Sequence, residues 1–192
     1  NGYTILKNVF SKNDCSIAKK KIDEIYKKQI KEFNNKKNLE LINEKNIVRS
    51  LFVYDSFFLK FLDKKIQNQL LTKIFGKKFI LNLQNSPIMQ PKSRQYSAAW
   101  HRDLSYQHFV SSRQVAISTV VSLDKSTQDN GATFLLPHSH KFEMFPSKEY
   151  VKKHQKQIPI NAGDTLVFDS LMYHRSGANK TNQKRKIIVH MF

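Results

Sequence analysis

The densest chemistry in the chain lies in Trp100-His101-Arg102-Asp103. His101 and Asp103 form a His-x-Asp pair. On an extended segment, residues two apart point to the same side. An imidazole and a carboxylate can then face one point in space. His174, in Tyr173-His174-Arg175-Ser176-Gly177, offers a third donor. Two histidines and one carboxylate on one side of a cation leave its other side open. That donor set suits the facial triad of non-haem Fe(II) sites. It also holds Zn2+ with a water.

The pair alone is a weak signal, and the neighbouring blocks strengthen it. His174 is followed by Ser176 and, eleven positions on, by Arg185. Asn130-Gly131-Ala132-Thr133 runs into Pro137-His138-Ser139-His140-Lys141. Ala162-Gly163-Asp164 opens an apolar run to Asp169, just before His174. In this order the blocks resemble the phytanoyl-CoA dioxygenase-like family of Fe(II)/2-oxoglutarate oxygenases. That pattern reads Trp-His-x-Asp, Asn-Gly-Ala, Pro-Gly-Ser-His, Ala-Gly-Asp and His-x-Ser-Gly…Arg. The chain departs at His138, where the family usually has glycine. The opening Asn1 to Leu6 is similar to the family's first strand, so the resemblance covers nearly the whole chain.

The resemblance implies that His101, Asp103 and His174 hold Fe(II). Three coordination positions then remain, two for 2-oxoglutarate as cosubstrate and one for O2. Arg185 has its own argument from the sequence. It shares a strand face with Ile187, Val189 and Met191, so it points inward and needs an anion there. A guanidinium grips a carboxylate through two parallel hydrogen bonds. The resemblance makes that anion the distal carboxylate of 2-oxoglutarate, with Ser176 as a hydroxyl donor. A hydrolase has no need of this cation, so Arg185 favours iron over zinc. Asn82, Gln84 and Thr133 are weaker cosubstrate candidates, each equally readable as an ordinary strand residue. The segments 85–99 and 104–113 supply candidate substrate-lining residues: Tyr96, Tyr106, His108 and Arg113. Their mixed polarity fits a polar or anionic small molecule. His138 and His140 with Glu143 form a competing metal constellation of cupin type, but with the wrong spacing.

The elements that must position these groups are legible from period and punctuation. Residues 3–10 read as a strand. Ser11 with Asp14 is a capping box opening a helix, whose inward positions are Cys15, Ala18, Ile22, Ile25, Tyr26 and Ile30. Residues 34–46 are polar, a loop or a solvated helix end, and 50–62 are apolar and aromatic. Residues 63–75 read as a second helix, with Ile66, Leu70, Leu71 and Ile74 inward and Gly76 as its stop. From Lys78 the period becomes two. Strands are expected over 79–84, 114–123, 133–136, 165–168 and 186–191, with 85–99 as loop. Helices first and many short strands after predict an α+β fold that is mainly β. The strand pattern suggests a β-sandwich or jelly-roll core, and the expected form is a double-stranded β-helix, or jelly roll, with the N-terminal helices packed outside.

At 192 residues with 14 Phe and 7 Tyr, the chain is long enough for one domain with a sizeable core. No apolar run approaches a membrane span. One cysteine, Cys15, excludes an internal disulfide framework and fits the reducing cytoplasm. The start at Asn1 and the end at Met191-Phe192 point to trimming at both ends. The net charge is +18. The excess is mostly scattered lysine without aromatic interleaving, which reads as a solvated surface rather than a nucleic-acid interface. The leading reading is an Fe(II)- and 2-oxoglutarate-dependent dioxygenase that hydroxylates a C–H of a small molecule and releases succinate and CO2. Its rivals are a zinc-dependent hydrolase on a similar barrel and a non-catalytic basic module that binds nucleic acid. Oligomeric state does not follow from the sequence.

Overall fold

The structure, a computed structural model, describes residues 1–94, 98–104 and 110–192. Strand β1 (Tyr3–Leu6) leads into helix α1 (Lys12–Glu32), which opens on the expected capping box: Asp14 N–H donates to Ser11 Oγ at 3.0 Å, and Ser11 N–H to the Asp14 carboxylate at 3.3 Å. Two short helices follow, α2 (Lys36–Leu41) and α3 (Leu51–Tyr54), with strand β2 (Ile47–Arg49) between them. After a 3-10 turn over Ser56–Phe61 comes α4 (Lys65–Phe75). The remaining strands are β3 (Leu83–Met89), β4 (Ile117–Ser122), β5 (Phe134–Leu135), β6 (Lys156–Gln157), β7 (Thr165–Asp169), β8 (His174–Arg175) and β9 (Arg185–Met191), with α5 (Lys148–His154) before β6. No helix among the described residues is long and apolar enough to cross a membrane.

The strands form two antiparallel sheets, ordered β1-β7-β4-β9-β3-β2 and β6-β5-β8. Successive side chains of a strand go to opposite faces, and the two faces of the larger sheet meet different neighbours. Val121, Ile188 and Ile88 pack with Phe10, Ala18, Ile22, Ile25, Phe58 and Phe61 against the helices. Val120, Leu166, Phe168, Ile187 and Met89 face Leu135 and Met172 of the smaller-sheet side. Lys186 is only 6% exposed. Its ammonium donates to the Lys19 carbonyl at 3.0 Å and to Asp23 at 2.6 Å, fixing α1 to β9.

The structure corrects three expectations. The strand placed at 79–84, with loop after it, instead runs over Leu83–Met89 and carries Pro87. Proline has no N–H to give a ladder, which is why the segment reads as loop, yet Pro87 sits opposite Ile47 in the short outer strand β2. The first strand stops at Leu6 rather than reaching residue 10. On α4 the inward position is Gln67, while Ile66 is 46% exposed. The helix is rotated so that Leu71 meets Ile117 and Val167, and periodicity alone cannot tell which edge of a broad apolar stripe is covered.

The shift in β3 changes the role of Gln84. It is buried on the helix side of the sheet, where its amide nitrogen donates to the Phe58 carbonyl at 3.0 Å and its oxygen accepts from Phe52 N–H at 3.0 Å. Both ends of the amide are thereby oriented. The same nitrogen therefore donates to His190 Nε2 at 3.1 Å, and His190 Nδ1–H donates to Thr119 Oγ1 at 3.0 Å. The network fixes a neutral imidazole. Burial holds His190 far below the ordinary histidine range, at about 3. In the unfolded chain it titrates near 6.5. Between those values the unfolded state binds the extra proton, so stability is full above pH 6.5 and falls as pH drops toward 3. His190→Asn should remove this slope, about 1.4 kcal/mol per pH unit at its limit. The check is urea unfolding of wild type and variant from pH 7 to 4, and parallel pH profiles would refute it.

Candidate metal centre

The site lies between the two sheets and is assembled by backbone before any side chain acts. His101 N–H donates to the His174 carbonyl at 3.0 Å, and His174 N–H to the His101 carbonyl at 2.9 Å. The two histidines are thus directly opposed in an antiparallel bridge, with ring centroids 4.3 Å apart. Asp103 N–H donates to the Ser170 carbonyl at 3.1 Å, which brings its carboxylate to the same side. The ligand atoms of His101, Asp103 and His174 lie within 4.8 Å of one another. Among the described residues no other group of three His, Cys, Asp or Glu converges in this way. The His138, His140 and Glu143 alternative is therefore not assembled.

The residues fit a divalent cation. His101 Nδ1 is 2.9 Å from the Ala99 carbonyl, and His174 Nδ1 is 3.0 Å from the Met172 carbonyl. Each Nδ1–H donates there, which leaves Nε2 as the ligand atom and fixes the ring. His174 Nε2 and Asp103 Oδ1 are 3.3 Å apart, near the roughly 3 Å edge between two ligands about 2.1 Å from one ion at right angles. Burial, then repulsion by His174, lowers His101, favouring the neutral form a ligand needs. Burial pushes Asp103 up, but the charge of His174 and hydrogen bonds from His174 and Ser118 outweigh it and bring the carboxyl to about 2. His174 is lowered by burial and raised more by Asp103, for a net upward shift.

A residue missed in the sequence holds Asp103. Ser118 of β4 donates its hydroxyl to Asp103 Oδ2, and its oxygen sits 2.7 Å from Ser170 Oγ. The available signal was alternation, since Ser118, Val120 and Ser122 share one face of β4. Phe168 flanks the His174 ring at 4.7 Å. A cavity of about 230 Å3 opens on the triad. Leu83, Asn85, Pro87 and Met89 line it from β3, Ile187 and Val189 from β9, and Thr133 and Ser176 close to the triad.

Other expected site residues fall elsewhere. Gln84 is turned away from the cavity, because a one-residue difference in register reverses every side chain. The amide on the cavity face is Asn85. Asn82 is exposed, with its N–H on the Met191 carbonyl at 2.8 Å. Arg113 is exposed and does not line the cavity. Tyr96, Tyr106 and His108 lie outside the described residues.

Arg185 is 1% exposed and by alternation shares the strand face of Ile187 and Val189, but unlike them it is not among the residues lining the cavity. Its partners differ from the expectation of an unmet arginine. Nε donates to the Asn130 carbonyl at 2.9 Å, Nη1 to Ser126 Oγ at 2.9 Å and Nη2 to the Gly131 carbonyl at 2.6 Å. All three acceptors are neutral, and no carboxylate among the described residues pairs with the charge. Burial lowers the guanidinium to about 10, with Asp124 as the opposing influence. The sequence blocks meet at this point. Gly131 has φ +87, and a Cβ there would lie 2.6 Å from the Gly177 carbonyl oxygen, so the Asn-Gly-Ala turn packs directly on the turn after His174. His138, in the position where the resemblance expects glycine, has φ +68, a left-handed conformation that glycine adopts without strain.

The sequence model of the phytanoyl-CoA dioxygenase (PhyH) family matches residues 1–187. The uncharacterized protein Rv1501 of Mycobacterium tuberculosis is 28% identical over 151 residues, 76% of this chain and 55% of that protein. Dioxygenase cdmD of Talaromyces verruculosus is 26% identical over 139 residues, 68% of this chain and 45% of that one. The chain spans about half the length of the curated relatives it matches. EctD from S. alaskensis, solved with 2-oxoglutarate and 5-hydroxyectoine, superimposes with a TM-score of 0.77 over 100% of this chain and 71% of that one, at 17% identity. The non-heme monooxygenase ThoJ, as its Ni complex, gives 0.76 over 100% and 73%, at 18% identity. At these identities the likeness is one of fold.

The geometry generates a metal-binding test. Wild type should take up one Co2+ or Fe(II), and His174→Ala should take up none under the same conditions. His138→Ala and His140→Ala should leave uptake intact. Ser118→Ala should weaken it about 10- to 100-fold, the usual effect of removing a group that orients a ligand. Anaerobic titration with Co2+, read by its visible bands, measures all four variants. Retained stoichiometric binding in His174→Ala would remove the triad from consideration.

Proposed function

This chain belongs to the phytanoyl-CoA dioxygenase family, and from that membership together with the His101/Asp103/His174 geometry we propose that it is an Fe(II)- and 2-oxoglutarate-dependent oxygenase. The observation that carries the reading is the convergent triad, single among the described residues, on a mostly apolar cavity. Within it, His101, Asp103 and His174 hold the metal, and the two sheets form the halves of a double-stranded β-helix. When bound, the iron and 2-oxoglutarate supply O2 activation, with succinate and CO2 released and a C–H of a small molecule hydroxylated.

The chain's own share is positioning and exclusion. The backbone bridge between His101 and His174 fixes two ligands, and Ser118 fixes the third. Leu83, Met89, Val120, Phe168, Ile187 and Val189 give the cavity apolar walls, which keep water from the reacting centre. Arg185 serves the distal carboxylate of 2-oxoglutarate. Three of its five N–H groups are engaged, and the remaining two suffice for a two-pronged contact. Ser176 lies on the cavity beside His174 and adds a hydroxyl to the same carboxylate. Thr133 lines the wall nearby. A carboxylate there neutralises a buried charge that the surrounding carbonyls only solvate.

Arg185 also separates this reading from a zinc hydrolase. Arg185→Lys keeps the charge and loses the fork. It should weaken 2-oxoglutarate binding at least tenfold, while Arg185→Ala, where it folds, should cost about 2–5 kcal/mol, or roughly thirtyfold to several thousandfold. Iron uptake should persist in the lysine variant, because no ligand is altered. The measurement is an anaerobic 2-oxoglutarate titration of Fe(II)-loaded protein, read by the metal-to-ligand charge-transfer band. Equal dissociation constants for wild type and Arg185→Lys would count against the cosubstrate assignment.

A further inference from the structure

The cavity at the triad is small for its proposed work. Ligand sites commonly enclose about 300–1,000 Å3, and this one encloses about 230 Å3. A 2-oxoglutarate molecule would take much of that, leaving room for the reacting end of a second substrate and little else. The rest of the substrate must lie outside. Ile47 of β2 shows where, because it lines the triad cavity on one side and a neighbouring cleft of about 430 Å3 on the other. A further hollow of about 510 Å3 continues the same surface through Lys45, Asn46 and Gln90.

The chemistry of that cleft is opposite to that of the cavity. Its floor is amide and hydroxyl: Asn43, Asn46, Gln90 and Ser93. Its cations are Arg94 and Lys45, and the adjoining hollow adds Lys27, Lys36 and Lys184. Lys45 is paired with Glu40 at 2.8 Å, and Asp23 is taken by Lys186. Arg94, Lys27, Lys36 and Lys184 have no acidic partner among the described residues. Like charges around a concavity reinforce one another and concentrate anions there. Three of the chain's six arginines lie along this surface, one of them, Arg49, paired with Glu44. Arg49 and Arg175 line the triad cavity, and Arg94 lines the cleft next to it. Arg94 is close enough to Arg175 to repel it.

We propose that the substrate is an elongated molecule whose oxidised end enters the triad cavity and whose anionic end, a phosphate or carboxylate group, sits past Ile47 on the continuous basic surface formed by the cleft of Arg94 and the adjoining hollow of Lys36 and Lys184. This rests on the oxygenase reading and adds the substrate class to it. The cations supply attraction without a fixed fork, which suits a phosphate.

The test uses metal-free full chain and two probes, inorganic pyrophosphate and citrate, in calorimetric titrations at low and physiological salt. The variant is Arg94→Gln/Lys36→Gln/Lys184→Gln. All three side chains are exposed, so the fold is expected to survive. The control removes the same charge elsewhere, Lys65→Gln/Lys73→Gln/Lys77→Gln on and after α4. Pyrophosphate affinity should fall at least tenfold in the cleft variant and less than twofold in the control. Preference for citrate over pyrophosphate would make the anionic end a carboxylate. Equal losses in the two variants, or no binding of either probe to wild type, would overturn the proposal. The Fe(II)/2-oxoglutarate charge-transfer band should be unchanged in the cleft variant. If that band is missing even from wild type, the oxygenase reading fails, while the probe titrations still decide whether the cleft binds anions.

Discussion

The pair of hydrogen bonds between the backbones of His101 and His174 is the constraint on which the site depends. These positions are far apart in the chain, and neither neighbouring sequence dictates the other. Once the two segments are bridged, the separation of the rings is set by strand geometry rather than by side-chain flexibility. Asp103 follows, since its own backbone is tied to Ser170. A cation arriving here meets ligands that have already lost most of their freedom, which is the arrangement that favours binding without a large ordering cost.

The rest of the fold reads as support for that bridge. Strand β9 lies between β4 and β3, with one face against the helices and the other toward the cavity. Alternation then gives each of its residues a single direction. Ile188 and His190 go inward to the helices, and Ile187 and Val189 go to the cavity. The same alternation along β4 places Ser118 on Asp103 and Thr119 on His190. A polar residue in these strands is therefore held by a named partner on one side of the sheet and would be unpaired on the other.

How much of this was legible in the sequence follows from the range of each signal. The capping box at Ser11 and the long helix after it were readable, because spacing and local hydrogen bonds determine them, whereas the meeting of His174 with His101 and Asp103 was readable only through the order of the motif blocks. The close approach of Gly131 to Gly177, with the Gly131 carbonyl on Arg185, is a finding of the structure alone. Register was not readable. Pro87 disguised the cavity strand as loop, and a strand placed too early in the chain put Gln84 where Asn85 lies. Nor could the sequence show that Arg185 meets three neutral oxygens, since those acceptors are two backbone carbonyls and a serine about fifty-five to sixty positions away. Backbone acceptors leave no trace in residue type.

Lys186 has a consequence for where this protein can be cut. It neighbours Arg185 in sequence but faces the opposite way, with its ammonium buried between the Lys19 carbonyl and Asp23. Removing α1 to obtain a minimal sheet would leave that ammonium on an apolar surface with Ile188 and Val121 newly bared. The strand would then be pulled toward solvent on one face while the arginine beside it had to stay buried on the other. Helix α1 and strand β9 are thus tied at this point by a buried charge as well as by apolar packing.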